Sequence, residues 1–146
     1  FGIDEESMEV AVLTALKAKG MTLAVVEEVT GGLLAARLTM VDPSMATFRG
    51  ARIASAAGEA EMAGLSARAA AAADAAQREF ASTVGAAAMA GPAQQAGGPV
   101  TAPVVLAARI GDRRQHEEII LPADRGRLRD FAVISLLNML RKALTS

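Results

Sequence analysis

Cysteine, tryptophan and tyrosine are absent from this 146-residue sequence, phenylalanine occurs four times and histidine once. Without cysteine the chain has no disulfide, no thiolate nucleophile and no thiolate metal ligand. With His116 as its only imidazole, it cannot build a zinc site from several histidines. The shortage of aromatic rings removes the stacking platforms on which single-stranded nucleic acids bind. We therefore expect no metal or other cofactor, and no nucleic acid as a partner.

Charge is nearly balanced, with 15 lysine and arginine residues against 16 aspartate and glutamate residues. Such a chain creates no strong field that would attract nucleic acid or an anionic membrane surface. It also has no apolar run of about 18 residues and no basic leader, so we expect a cytoplasmic protein without a membrane span. Because the sequence starts at Phe1 instead of methionine, we also expect that a domain can precede it.

The spacing of apolar residues predicts one α/β domain over residues 1–146. Residues 1–20 are interpreted as a leading helix or linker that ends at Gly20, where a C-cap glycine is expected. The same reasoning predicts a hairpin around Gly111 and a final helix capped by Asp124. The predicted strands are residues 21–26, 48–54, 104–108 and 117–121, and the later predicted helices begin at Leu33, Ser66 and Arg125.

Alanine dominates residues 56–90, where composition alone favours helix because alanine loses no side-chain entropy. Apolar residues at packing intervals, among them Leu65 and Phe80, indicate one closely packed helix near Ser66–Ala81. Helix-forming residues also fill Val84–Met89. That segment ends at turn residues, however, which makes it a candidate central strand built of small side chains.

A specific motif begins at Leu23, where Glu27 and two further residues precede the run Thr30-Gly31-Gly32-Leu33-Leu34-Ala35-Ala36-Arg37-Leu38-Thr39. It resembles the strand-turn-helix signature of the CinA C-terminal domain, the nicotinamide mononucleotide deamidase family. The likeness continues through Phe48-Arg49-Gly50, Ala90-Gly91-Pro92 and Leu121-Pro122-Ala123-Asp124-Arg125, and so covers nearly the whole chain. The resemblance implies a three-layer α/β/α fold with a mixed sheet, usually dimeric.

The resemblance also implies a chemistry, the metal-free hydrolysis of the carboxamide of nicotinamide mononucleotide to the acid and ammonia. The family's site combines a nucleophilic serine before Thr-Gly-Gly with a tyrosine, a lysine and a threonine. The serine, tyrosine and threonine positions hold Glu28, Ser55 and Ala87. No lysine falls within the stretch that forms the site, because the lysines are on the predicted terminal helices at Lys17, Lys19 and Lys142. A degenerate active site is therefore predicted.

Ligand binding is a property that such a scaffold can keep. The candidate ligand-binding residues are Thr30, Gly31, Gly32, Gly91 and Arg127. The first three place backbone N–H groups at a helix N-terminus, which favours an anion. The competing interpretation treats this turn as a purely structural cap, because the carboxylates of Glu27 and Glu28 can satisfy its donors and repel a phosphate.

Two functions follow from these observations. The first is a non-catalytic CinA C-terminal-like module for oligomerisation or nucleotide sensing, with a second copy of the chain and a pyridine nucleotide or other small phosphate ligand as partners. The alternative is an amidohydrolase that still deamidates nicotinamide mononucleotide, using Ser55 as nucleophile or water activated by Glu28. His116, which has polar neighbours, is interpreted as an exposed histidine and not as a ligand or base.

Overall fold

The computed structural model describes residues 6–54, 64–95 and 97–145. Helices and strands alternate along the first part of the chain, three consecutive strands then precede the last helix, and each predicted element is present. The helices are α1 (Glu6–Ala18), α2 (Leu33–Val41), α3 (Leu65–Glu79) and α4 (Arg125–Thr145). The strands are β1 (Leu23–Glu27), β2 (Phe48–Ile53), β3 (Val84–Ala90), β4 (Thr101–Ile110) and β5 (Arg113–Pro122). Among these residues no helix is long and apolar enough to cross a membrane.

The strands form one mixed sheet in the order β2-β1-β3-β4-β5. Strand β1 pairs in parallel with β2 and β3, whereas β3 with β4 and β4 with β5 are antiparallel pairs. After two antiparallel steps β5 therefore points the same way as β1, β2 and β3. The C-terminal ends of these four strands share one end of the sheet, here called the carboxyl end. Helices α2 and α4 both begin there, directly after β1 and β5.

The helices cover the two faces of the sheet unequally. Helices α1, α2 and α4 pack together on one face, and α3 lies against β1, β3 and β4 on the other, here called the α3 face. The predicted three-layer α/β/α fold with a mixed sheet is thus confirmed. The larger core lies under the three helices and is built mainly of branched apolar side chains, including Leu16, Leu23, Val25, Leu34, Leu38, Leu106, Val133, Leu136 and Leu140.

The α3 face is packed through very small residues. Ala69, Ala73 and Ala76 are the buried alanines of α3. A Cβ atom added to Gly85 of β3 would lie 2.0 Å from the Ala73 carbonyl oxygen, so only glycine allows this approach of helix and strand. The small residues of β3 that face α3, Gly85 and Ala87, are therefore explained by the closeness of that helix, and tertiary packing overrides the local helix propensity of this segment.

Asp74 joins α3 to the β4–β5 hairpin. Its carboxylate accepts hydrogen bonds from Arg114 Nη2 at 2.7 Å and Nε at 3.3 Å, and Arg109 Nη1 lies 3.7 Å away. The hydrogen bonds from Arg114, with the positive charges of both arginines, lower the pKa of Asp74 despite its partial burial. Because the folded state holds the pKa below the unfolded value, this contact stabilises the fold above that value and loses its effect as pH falls through the folded pKa.

We therefore expect Asp74→Asn to lower the free energy of unfolding by about 1 kcal/mol at pH 7, the upper range for a partly exposed ion pair. The difference from the unsubstituted protein should shrink in acid, once the pH is below about 3.9, the ordinary pKa of aspartate. Urea unfolding of both proteins at several pH values measures it. A difference that stays constant down to the lowest pH would contradict this account of the contact.

Candidate functional site

A sharp turn links β1 to α2 at the carboxyl end of the sheet. Gly31 and Gly32 both have positive φ, at 56° and 97°, a conformation that glycine adopts readily and other residues rarely do. A Cβ atom on Gly32 would also lie 3.1 Å from Ile53 Cδ1 at the end of β2. The two glycines are thus required by the backbone itself, whether or not a ligand binds. Thr30, before them, is buried, and its carbonyl accepts the Leu33 N–H at 3.0 Å.

The N-terminus of α2 is occupied by a side chain of the protein. Glu27, the last residue of β1, is 0% exposed. Its Oε1 accepts the N–H groups of Gly32 and Leu34, both at 3.0 Å, and its Oε2 accepts that of Ala35 at 2.9 Å. Because these are the free donors of the first helical turn, the carboxylate takes the place that an anionic ligand would otherwise fill. This is the arrangement that the structural interpretation of the turn predicts.

Glu28 projects from the same turn into a half-buried position. Its Oε1 accepts the Ala90 N–H at 3.3 Å, which ties the end of β1 to the end of β3. Burial raises the pKa of Glu28, and the Ala90 hydrogen bond and the positive charge of Arg68 oppose that rise without cancelling it. A carboxylate of this kind can take up a proton more readily than an exposed one, so of the described groups at this end it is the best suited to proton transfer.

Arginines of α4 lie at the same end of the sheet. The position of a Cβ atom on Gly31 lies 3.9 Å from both Cζ and Nε of Arg129, so this guanidinium rests against the glycine turn. Arg127 is exposed, and its backbone N–H donates to Asp124 Oδ1 at 3.2 Å, which confirms Asp124 as the cap of α4. Of Arg127 and Arg129, Arg129 is therefore the one whose side chain lies against the glycine turn.

The other predicted site residues are distributed as follows. Ala87 is fully buried in the middle of β3 and packs on the α3 face with Ala24, Val26 and Ala76. Gly91 follows β3, and its N–H donates to the Pro103 carbonyl at 2.8 Å. That donor extends the pairing of β3 with β4, so it is not free for a ligand. Ser55 lies outside the described residues.

The lysines lie at or just after the C-terminal ends of helices, whereas the glycine turn lies at the start of one. Lys17 is in the last turn of α1, which precedes the start of β1, and Lys142 is in the last turn of α4, 3.8 Å from Glu117 of β5. No cluster of three or more side chains able to hold a metal occurs in the described ranges. Among those same residues the carboxyl end thus offers carboxylates and arginines, but no pair of an alcohol and an amine for attack on an amide.

Two features of this region were not predicted as parts of a site. Arg68 acts on Glu28 only because α3 docks across β1 and β3, and Arg129 reaches Gly31 only because α4 starts beside α2. Neither contact joins residues that are close in sequence. The arginines at the start of α4 gave a partial indication of the second contact in the sequence. Cations are not favoured at a helix N-terminus, so arginines at this position need another explanation.

Comparison with known proteins places these observations in a family. The sequence profile of the CinA C-terminal domain matches residues 5–59. A CinA-like protein from Frankia casuarinae is 39% identical over 160 aligned positions, which cover 99% of this chain and 36% of that protein. A CinA-like protein from Myxococcus xanthus is 45% identical over 53 residues, covering 36% of this chain and 13% of its own length. The chain thus spans about a third or less of these relatives.

Solved structures agree on the fold. A CinA superfamily protein from Klebsiella pneumoniae superposes with a TM-score of 0.80 at 18% identity, covering 97% of this chain and 98% of that one. The competence/damage inducible protein CihA from Agrobacterium tumefaciens gives a TM-score of 0.77 at 22% identity, covering 100% and 98%. Identities this low support the architecture alone. The matched profile and the Frankia relative show that this chain belongs to the CinA C-terminal domain family.

Proposed function

We propose that this chain is a non-catalytic CinA C-terminal module that assembles with copies of itself or senses a nucleotide, and does not hydrolyse an amide. The observation that carries the proposal is the carboxylate of Glu28, which stands where the resemblance expects a serine nucleophile and is bound to the Ala90 N–H. A carboxylate that attacks an amide must form an anhydride and expel a nitrogen, which is a poor leaving group without assistance. Ala87, at the position of the family's threonine, contributes only a methyl group.

The contacts of the glycine turn weigh against nucleotide sensing and so, of the two roles, favour assembly. The donors at the start of α2 are taken by Glu27, so a phosphate arriving there would meet a fixed negative charge in place of free N–H groups. Arg129 rests beside the turn, and the positive charge of Arg68 acts on Glu28. A single exposed guanidinium gives a weak anion contact, which is compatible with sensing at high ligand concentration but not with tight nucleotide binding.

The purified chain is therefore expected to release no ammonia from nicotinamide mononucleotide. Incubation with the nucleotide, with ammonia and nicotinate mononucleotide measured over time, tests this. Thermal unfolding with and without nicotinamide mononucleotide tests whether the chain binds this nucleotide. A ligand present at 100 times its dissociation constant stabilises a protein by about 2.7 kcal/mol, so binding would raise the melting temperature. Turnover above the uncatalysed rate would overturn the non-catalytic role.

A second function is favoured by the half-buried position of Glu28 at this turn, where burial raises the pKa of its carboxyl group. In that alternative the carboxylate acts as a general base that activates water for attack on the carboxamide of nicotinamide mononucleotide. If this alternative holds, the unsubstituted chain hydrolyses nicotinamide mononucleotide and Glu28→Gln does not. The substitution keeps an acceptor for the Ala90 N–H and removes the base. Turnover that is the same in the variant would exclude Glu28 as the base.

A further inference from the structure

Strand β5 is an edge of the sheet with a regular row of outward backbone groups. Strand β4 alone pairs with it among the described residues. The Gly91 N–H donates to the Pro103 carbonyl on the β3 side, and the Ala123 N–H donates to the Val100 carbonyl on the β5 side. In an antiparallel pair, every second residue forms backbone hydrogen bonds with the partner strand. Counting from these two bonds, the odd-numbered residues of β4 bond to β3, and the odd-numbered residues of β5 bond to β4. The N–H and C=O groups of the even-numbered β5 residues point away from the sheet.

The side chains of those even-numbered residues carry charges in a self-complementary order. Arg114 and Glu118 both lie on the α3 face, since Arg114 binds Asp74 and Glu118 accepts the Ser66 hydroxyl at 3.2 Å. His116 stands midway between them and is exposed. Positive charge thus occupies one half of the edge and negative charge the other. An edge protected against association carries charges as well, but it does not need them in this order.

We propose that β5 pairs antiparallel with β5 of a second copy of this chain, about a two-fold axis through His116. This interface rests on the assembly role proposed above and gives it a location. The symmetry places Arg114 of each copy opposite Glu118 of the other, so two oppositely charged cross-strand pairs form. The outward N–H and C=O groups of Arg114, His116 and Glu118 then pair with those of the partner, and two sheets of five strands become one continuous sheet.

Neighbouring registers are less favourable. Residues that lie opposite each other in paired strands have their side chains on the same face of the sheet. Because even-numbered and odd-numbered residues of β5 face opposite sides, a residue can therefore lie opposite only a residue of the same parity in the other copy. Moving the axis from His116 to Glu117 sets Glu117 against its own copy, and moving it to Gln115 sets Glu118 against Asp112. Both shifts also separate Arg114 from Glu118. The shift to Gln115 does set Arg113 opposite Glu117 of the other copy, but of these three registers the one centred on His116 is the one that sets no two like charges opposite each other.

Exposed apolar residues flank the same edge on both faces. Ile120, 64% exposed, lies on the α3 face of β5. On the other face Phe131 of α4 is 40% exposed and lies eleven residues before Lys142, a spacing that puts both on one side of the helix. Lys142 contacts Glu117 of β5, so that side of α4 borders the edge. Continuation of the sheet brings the two α4 helices together and covers Phe131.

The absence of cysteine allows a test that depends on register. In His116→Cys the only two thiols of a dimer would face each other across the axis, where paired Cα atoms are about 5.5 Å apart, a separation that a disulfide spans. Mild oxidation is expected to link most of the protein into dimers. Ile120→Cys is the matched control on the same edge and face. In a dimer of this variant the two introduced cysteines would be about 27 Å apart along the strands, so no disulfide should form.

Glu118→Arg provides a second variant, which sets like charges against each other twice and is expected to raise the dimer dissociation constant at least about tenfold in sedimentation equilibrium. The interface is supported if His116→Cys forms linked dimers, Ile120→Cys does not, and Glu118→Arg weakens dimerisation. A dimer in which His116→Cys does not link, or in which Ile120→Cys links equally well, overturns the interface but leaves assembly intact. A monomer at every concentration overturns both the interface and the assembly role, and turnover of nicotinamide mononucleotide bears only on the proposed lack of catalysis.

Discussion

Gly85→Ala is expected to lower the free energy of unfolding by about 3 kcal/mol or more, at the upper end of the cost of overpacking a well-packed core. The added methyl group would lie 2.0 Å from the Ala73 carbonyl oxygen and 2.9 Å from the Gln77 N. Both are backbone atoms of α3, so no side chain can rotate to make room. The helix must move away from the sheet, which also opens the packing of the neighbouring alanines.

Gly98→Ala is the matched control for this experiment. Its Cβ atom would have no heavy atom within 4 Å, and Gly98 is not among the glycines with positive φ. The control should therefore leave stability unchanged or slightly raised, because alanine restricts the unfolded chain. Urea unfolding of the three proteins gives the comparison. Equal stability of Gly85→Ala and Gly98→Ala would show that α3 does not lie as close to β3 as described.

Glu27→Gln is expected to cost about 3 kcal/mol of unfolding free energy, a value typical of buried hydrogen bonds to a charged group. The amide keeps the shape of the side chain but loses the charge. One of the two carboxylate oxygens, each of which accepts a backbone N–H group, is replaced by an NH2 group that cannot accept one. The donors of Gly32, Leu34 and Ala35 are then only partly satisfied at a buried helix terminus. The same change also removes a favourable charge at the N-terminus of α2.

The adjacent Glu28→Gln separates this effect from a general loss of charge at the turn. Glu28 makes one backbone contact, and its raised pKa means that its ionised form weakens folding near neutral pH. Neutralising it should leave stability unchanged or raise it. Unfolding in urea at pH 7 measures both variants. If Glu28→Gln were as unstable as Glu27→Gln, the hydrogen bonds of Glu27 would not be the cause.

Most of the fold could be predicted from the sequence because its signals are local. The periodicity of α1 and α4 and the two-residue turn at Gly111 each arise within a few neighbouring residues, and all are present. Strand β5 is longer than predicted, because its first half, Arg113 to His116, is polar. An edge strand needs only part of its surface to be apolar, so hydrophobic alternation fails to reveal its start.

The candidate site was only partly predictable. The alternatives for the glycine turn were apparent from the sequence, because Glu27 and Glu28 are adjacent to it. Which carboxylate caps α2 depends on the strand alternation, which buries Glu27 and leaves Glu28 to reach across to Ala90. The approach of Arg129 to Gly31 depends on how α4 packs beside α2, and no local pattern specifies that distance.

The contact between α3 and β3 gives a reason for the monotonous composition of this part of the chain. Because the peptide groups of the helix touch the strand at Gly85, a larger residue at this position would push α3 away from the sheet. Substitutions on the two segments are therefore coupled, and each limits what the other tolerates. The buried alanines of α3, which are Ala69, Ala73 and Ala76, and the small residues Gly85 and Ala87 of β3 are then a steric requirement of this contact, and not the mark of an unstructured region.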